Sequence, residues 1–184
     1  MHGRRGRGLR GMYISRRALR SHFDPRKYPH ETYLLCQLEW NGSGNDWIHW
    51  VRNDKKHAEV YFLEEIFEPR IYGFCTITLY LSYSPCWRCC SKIQDFLNRY
   101  PNVKIDIFVA RLFYADDGKN CKGLKELSKL QRVTIQVMEV ADYKHCLRIF
   151  IQSGVCYDFS PEDFETEIRR YRLMLKNILT DPYL

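Results

Sequence analysis

Two short stretches constrain this chain more than any other feature: His57-Ala58-Glu59, and then Pro85-Cys86-Trp87-Arg88-Cys89, with 25 residues between Glu59 and Pro85. Cysteines at i and i+3 fall on one face of a helix, so both sulfurs can reach one metal ion. A proline beside them suits the first helical turn, because it has no N–H to leave unpaired. The positive end of a helix favours thiolate over thiol, and the thiolate is the ligating form. Two thiolates need a third ligand, for which His57 is the best candidate. A lone C-x-x-C also occurs as a redox pair or as half of a structural zinc site. A redox pair has no need of H-x-E upstream. A structural site needs a second Cys/His pair at similar spacing, and the sequence offers none.

H-x-E followed by P-C-x-x-C is the signature of zinc deaminases acting on nucleobases, with the glutamate shuttling protons and not ligating. The expected cofactor is therefore zinc, held by His57, Cys86 and Cys89, with Glu59 catalytic. Three protein ligands leave a fourth position open for water, whose pKa zinc lowers towards ~7. Glu59 would take a proton from that water, protonate the ring nitrogen and help ammonia leave. Mixed nitrogen and sulfur ligands argue for zinc over magnesium or calcium. Cys90 adjoins the pair but points off the ligand face.

The length of 184 residues fits one domain with a sizeable core. No apolar run approaches the 18 or so residues of a membrane span, and the basic N-terminus lacks the apolar stretch of a secretory signal. The expected location is the cytoplasm or nucleus, with the eight cysteines free or ligating and not in disulfides. The net charge of +7 is unevenly placed. Residues 1–20 hold seven arginines and no acid, whereas the remainder balances 22 basic against 22 acidic residues. A basic arm on a neutral body suggests an anionic partner such as nucleic acid, the plainer alternative being a localisation or solubilising tail.

Residues 1–11, rich in glycine and arginine, read as a disordered arm, and residues 12–184 as the catalytic domain. A helix capped by Ser15 is predicted over 15–22, and strands over 32–40 and 47–51 joined at Asn41-Gly42-Ser43-Gly44. A helix from His57 ends before Pro69. A strand at 74–83, the cysteine helix at 86–99 and a strand at 103–110 follow. A loop over 111–120 leads to a helix carrying Leu124, Leu127 and Leu130. A fifth strand at 134–140 and helices at 143–151 and 161–179 close the chain. A hairpin followed by alternating helices and strands gives an α/β domain with a mixed sheet covered by helices.

His57-Ala58-Glu59, Ser82 to Cys89, Ala110-Arg111-Leu112-Phe113, Val133-Thr134-Ile135-Gln136 and Glu31-Thr32-Tyr33-Leu34 resemble the AID/APOBEC family of polynucleotide cytidine deaminases. Asp24-Pro25-Arg26 and Trp87 look most like the branch named for editing apolipoprotein B messenger RNA. The resemblance implies a five-stranded mixed sheet flanked by six helices. It also implies deamination of cytosine to uracil in single-stranded DNA or RNA, with an auxiliary RNA-binding protein as an admissible further partner. Carried over residue by residue, Thr32 and Asn53 contact the target nucleotide. The backbone at Ala58 and Ser84 meets the polar edge of the base, and Tyr83 forms a pocket wall. Arg111, Phe113 and Tyr114 hold the base on the 5′ side. Without the family, Thr32 is an ordinary strand residue, Asn53 a turn residue, and Phe113 and Tyr114 packing residues. The family usually has Trp where Tyr83, Leu79 and Leu147 stand; Tyr83 keeps an aromatic face. Two rivals stay open: a tRNA adenosine deaminase, which shares the zinc signature, and a catalytically silent nucleic-acid-binding protein with structural zinc. Glu59 argues against the second.

Overall fold

In the computed structural model, the alternation of side chains along Tyr33–Trp40 feeds two separate cores, one on each face of a sheet. Leu34, Cys36 and Leu38 enter one core, while Tyr33 and Leu35 enter the other, as the two-residue period of a strand requires. The structure describes residues 10–42, 46–70, 73–152 and 159–184. The chain runs β1 (Arg10–Gly11), α1 (Arg16–Phe23), β2 (Tyr33–Trp40), β3 (Trp47–Arg52) and α2 (Ala58–Tyr61). It continues through β4 (Cys75–Leu81), α3 (Trp87–Arg99), β5 (Val103–Val109), α4 (Gly118–Ser128), β6 (Val133–Val137), α5 (Val140–Ile149) and α6 (Glu165–Thr180).

The strands lie in the order β1-β3-β2-β4-β5-β6. β2 is antiparallel to β3 and β4, whereas β4, β5 and β6 are mutually parallel. β4 is the centre, and Ile77, Leu79 and Leu81 on it are fully buried. The five expected strands are β2 to β6, and six α-helices accompany them, as the α/β reading anticipates. The helix boundaries follow local chemistry. The Ser15 side chain accepts from the Ala18 N–H and caps α1. α3 buries Cys89, Cys90, Ile93, Phe96 and Leu97 along one stripe. It stops at Tyr100, because the residue before Pro101 is steered out of the helical region.

Four differences from expectation have physical causes. Of the arm, residues 1–9 lie outside the described residues, while Arg10–Gly11 pair in parallel with Trp47–Ile48 at the sheet edge. The helix after His57 is α-helical for one turn only. It then widens over Phe62–Ile66 into a π-helical turn, closed by the Phe67 N–H on the Phe62 carbonyl at 2.9 Å. α4 starts at Gly118, inside the expected loop, because the Asp117 carboxylate accepts from the N–H groups of Lys119 and Asn120. Pro85 lies before α3 and not in its first turn, which leaves Cys86 as the N-cap. The seven described cysteines are all unpaired, whereas Cys156 lies outside the described residues. Among the described residues no helix is long and apolar enough to cross a membrane.

Candidate active site

The site lies where the carboxyl ends of β4 and β5 meet the start of β2, the edge at which open α/β sheets bind ligands. Two helices begin there. His57 is the N-cap of α2 and Cys86 the N-cap of α3, both in extended backbone that turns their side chains off the helix ends. The turn between β4 and α3 is pinned at both sides. Ser82 accepts from the Tyr33 N–H through its hydroxyl and donates its own N–H to the Tyr33 carbonyl. The Ser84 N–H donates to the Arg111 carbonyl, and the Ser84 hydroxyl accepts from the Phe113 N–H at 2.8 Å.

This framework brings His57, Cys86 and Cys89 together, their ligand atoms all within 4.8 Å of one another. His57 Nδ1 lies 3.2 Å from Cys89 Sγ and 3.6 Å from Cys86 Sγ. Tetrahedral zinc with ordinary bond lengths would hold nitrogen and sulfur about 3.5 Å apart. One imidazole and two sulfurs therefore fit zinc with one position left for a non-protein ligand. The Cys89 hydrogen bond holds the Cys86 thiol down at about 5, while the same bond and burial push Cys89 up. Glu59, in the first turn of α2, is 4% exposed, and its Oε2 is 3.6 Å from Cys89 Sγ. Burial raises its pKa above the ordinary carboxylate value. The Glu59 carboxylate thus lies beside the three candidate ligand atoms. Cys90 turns away and donates to the Pro85 carbonyl at 3.7 Å.

The other sequence-predicted residues fall into three groups, with Arg111 apart. Thr32 and Asn53 are joined to each other: the Thr32 N–H donates to Asn53 Oδ1 at 2.9 Å, and the Asn53 N–H donates to the Thr32 carbonyl at 3.0 Å. Ala58 and Ser84 are buried beside the ligands, at 0% and 3% exposure. Tyr83 is half-buried, its hydroxyl donating to the Pro29 carbonyl at 2.8 Å and its ring edge-on to Phe113. Phe113 is half-buried and Tyr114 is 68% exposed, with a left-handed φ of 39° uncommon for a bulky residue. Arg111 departs from expectation. Its side chain is fully buried and directed inward to the carbonyls of Ser82, His22 and Asp24, with the guanidinium 4.4 Å from the Tyr83 ring centroid. It lies against the Tyr83 ring and is not exposed on the surface. Neighbouring backbone acceptors outcompete solvent for its donors.

The family model for APOBEC4-like AID/APOBEC deaminases matches residues 22–153, which contain the ligand set, Glu59 and the loop after β5. The chain belongs to the AID/APOBEC deaminase family. It is 39% identical over 145 residues to the opossum (Monodelphis domestica) C->U-editing enzyme APOBEC-1, a match covering 77% of this chain and 59% of that protein. It is 40% identical to the rat (Rattus norvegicus) C->U-editing enzyme APOBEC-1 over 70% of this chain and 57% of that one. The human enzyme of the same name gives 39% identity, covering 70% and 56%. The chain thus spans a little under three fifths of the length of these relatives.

Sequence reasoning missed residues that brace this AID/APOBEC site from outside the motifs. Asn120, 4% exposed at the start of α4, accepts from the Trp87 N–H on Oδ1 at 3.0 Å and donates to the Phe113 carbonyl at 3.4 Å. It ties the first turn of the cysteine helix to the aromatic loop. Asp117 beside it is an N-cap residue type and gave the one local signal that a helix starts there. On α6, the Arg170 guanidinium donates to the Tyr28 hydroxyl at 3.3 Å and covers the Tyr171 ring. No local pattern marks that contact.

Proposed function

We propose that this chain is a zinc-dependent cytidine deaminase that converts cytosine to uracil in single-stranded DNA or RNA. The observation that carries the reading is the convergence of His57, Cys86 and Cys89 on one point, with the buried Glu59 carboxylate beside them. The C->U-editing activity printed in the names of the relatives supports it. When bound, zinc supplies a water able to act as a nucleophile at neutral pH. The chain's residues do the rest. His57, Cys86 and Cys89 would hold the metal. Glu59 would take one proton on Oε2 from the attacking water and pass it to the ring nitrogen, then take a second from the hydroxyl gained by the base and pass it to the departing amine, which leaves as ammonia. In this reading the backbone at Ala58 and Ser84 meets the polar edge of the base, and Tyr83 walls the pocket. Thr32 and Asn53, locked together, present one polar unit to the nucleotide sugar or phosphate. A carboxylate as buried as Glu59 cannot reach a base inside a duplex, which favours an unpaired strand.

The test is to sequence a single-stranded DNA pool and an RNA pool after incubation with purified protein. Conversion of cytosine in either pool is the expected result. Conversion of adenosine instead would favour the tRNA-deaminase alternative. Zinc retained with no conversion of any base would leave a silent nucleic-acid-binding protein.

Sequence context beyond the target base falls to the loop over 110–117, which is braced by Ser84 and Asn120 and carries Phe113 and Tyr114 at the mouth. Base stacking on an aromatic side chain contributes about 1–3 kcal/mol. Phe113→Ala is expected to weaken binding of a cytosine-containing strand by that amount and to broaden the tolerated 5′ base, with zinc content unchanged. Titration with labelled oligonucleotides and sequencing of products read both effects. Unchanged affinity and context would reduce Phe113 to a packing residue. The arginines at 4, 5, 7 and 10 would add phosphate contacts to the same strand.

A further inference from the structure

We propose that Arg111 is a positioning residue for the aromatic wall of the base pocket, holding the Tyr83 ring from behind through its buried guanidinium. The inference rests on the deaminase reading above. Arg111 is fully buried and has no carboxylate to itself: the carboxylate of nearby Asp24 receives the Nε and Nη2 of Arg26 at 3.0 and 2.9 Å. Its acceptors are backbone carbonyls from two separate segments. Nη1 donates to Ser82 at 2.7 Å, at the end of β4. Nη2 donates to His22 and, at 3.2 Å, to Asp24, where α1 ends with carbonyls lacking helical partners. Among the described residues its Nε has no protein partner, and neither has the buried hydroxyl of Tyr143 on α5.

For the fold alone this arrangement is poor chemistry. A buried cation without a paired anion is costly, and a well-packed apolar residue of similar volume is often the more stable choice. What the guanidinium adds is its plane. It stacks on one face of Tyr83 at 4.4 Å, while Phe113 meets the ring edge-on with centroids 6.2 Å apart. The Tyr83 hydroxyl is held by Pro29, in the segment that Arg111 itself anchors at Asp24. Arg111 thus sets both the face and, through the 24–29 segment, the hydroxyl of the ring that walls the pocket. A lysine carries the charge but neither the plane nor the fork of donors.

The test is a double-mutant cycle with Arg111→Met and Tyr83→Leu, read as kcat/KM for a single-stranded cytosine oligonucleotide. If Arg111 acts through Tyr83, the double variant is no worse than the poorer single one, and the shortfall from the product of the single losses exceeds about fivefold. Losses that multiply to within about twofold would overturn the proposal, since independent sites behave so. Where Arg111→Met does not fold, Arg111→Lys decides. It is expected to lose as much kcat/KM as Tyr83→Leu, and wild-type kcat/KM would overturn the proposal. The same cycle is read in equilibrium binding of the oligonucleotide, with a strand abasic at the target position as reference. If the unmodified protein deaminates nothing, the deaminase reading fails. Coupling in the binding cycle then still sustains the Arg111–Tyr83 assignment, and additivity there removes it.

Discussion

Glu59→Gln is expected to lower cytosine deamination by about 10²- to 10⁴-fold while the protein keeps its zinc, the range ascribed to general acid–base catalysis. Glutamine has nearly the same shape but can neither take a proton from water nor give one to the ring. Glu59 is close to the ligand sulfur of Cys89 and is shielded from solvent. No bulk water stands ready to replace it as the proton carrier. Burial also raises its pKa, which brings proton uptake closer to neutral pH. The ligand set itself is untouched by the change, because His57, Cys86 and Cys89 already account for three positions. An oligonucleotide deamination assay paired with metal analysis decides the matter. Zinc lost along with activity would make Glu59 a ligand or a structural support. Activity within about tenfold of the unmodified protein would remove it from the proton path.

Cys89→Ala is expected to abolish deamination and release the metal, with a clear loss of stability. Cys89 is 1% exposed on the first turn of α3, and its sulfur is 3.2 Å from His57 Nδ1. Without it, His57 and Cys86 remain as two ligands on two helix ends that the metal no longer joins. A ligand present at about a thousand times its Kd stabilises the fold by about 4 kcal/mol. For a chain of this size, losing that amount lowers Tm by about 8–16 °C. Treating the unmodified protein with a strong chelator should give the same shift, and added zinc should reverse it. Thermal unfolding with and without chelator measures both. An unchanged Tm in chelator, with metal shown to be gone, would mean that α2 and α3 are held together by packing alone.

The candidate ligands and the candidate proton carrier are legible in the sequence because each signal is local. A cysteine pair three residues apart after a proline, and a glutamate two residues after a histidine, need no knowledge of the fold to suggest ligands and a proton carrier. The same holds for the Ser15 cap of α1 and for the alternation along β2, whose physical causes lie within a few residues. The arrangement around that chemistry was not legible. Arg111, with Phe113 and Tyr114, is assigned by the family resemblance to the base on the 5′ side. Its orientation is decided by carbonyls 29, 87 and 89 residues away, which no window on the sequence brings together. Asn120 links Trp87 to Phe113 across a separation of 33 residues on one side and seven on the other. The pairing of Gly11 with the sheet edge likewise depends on where β3 has been placed. Which atoms can bind a metal or move a proton follows from side-chain type and near spacing, and both are local. Which polar groups are turned inward as supports, as Arg111 and Asn120 are, follows from the partners that the folded chain brings within hydrogen-bonding distance.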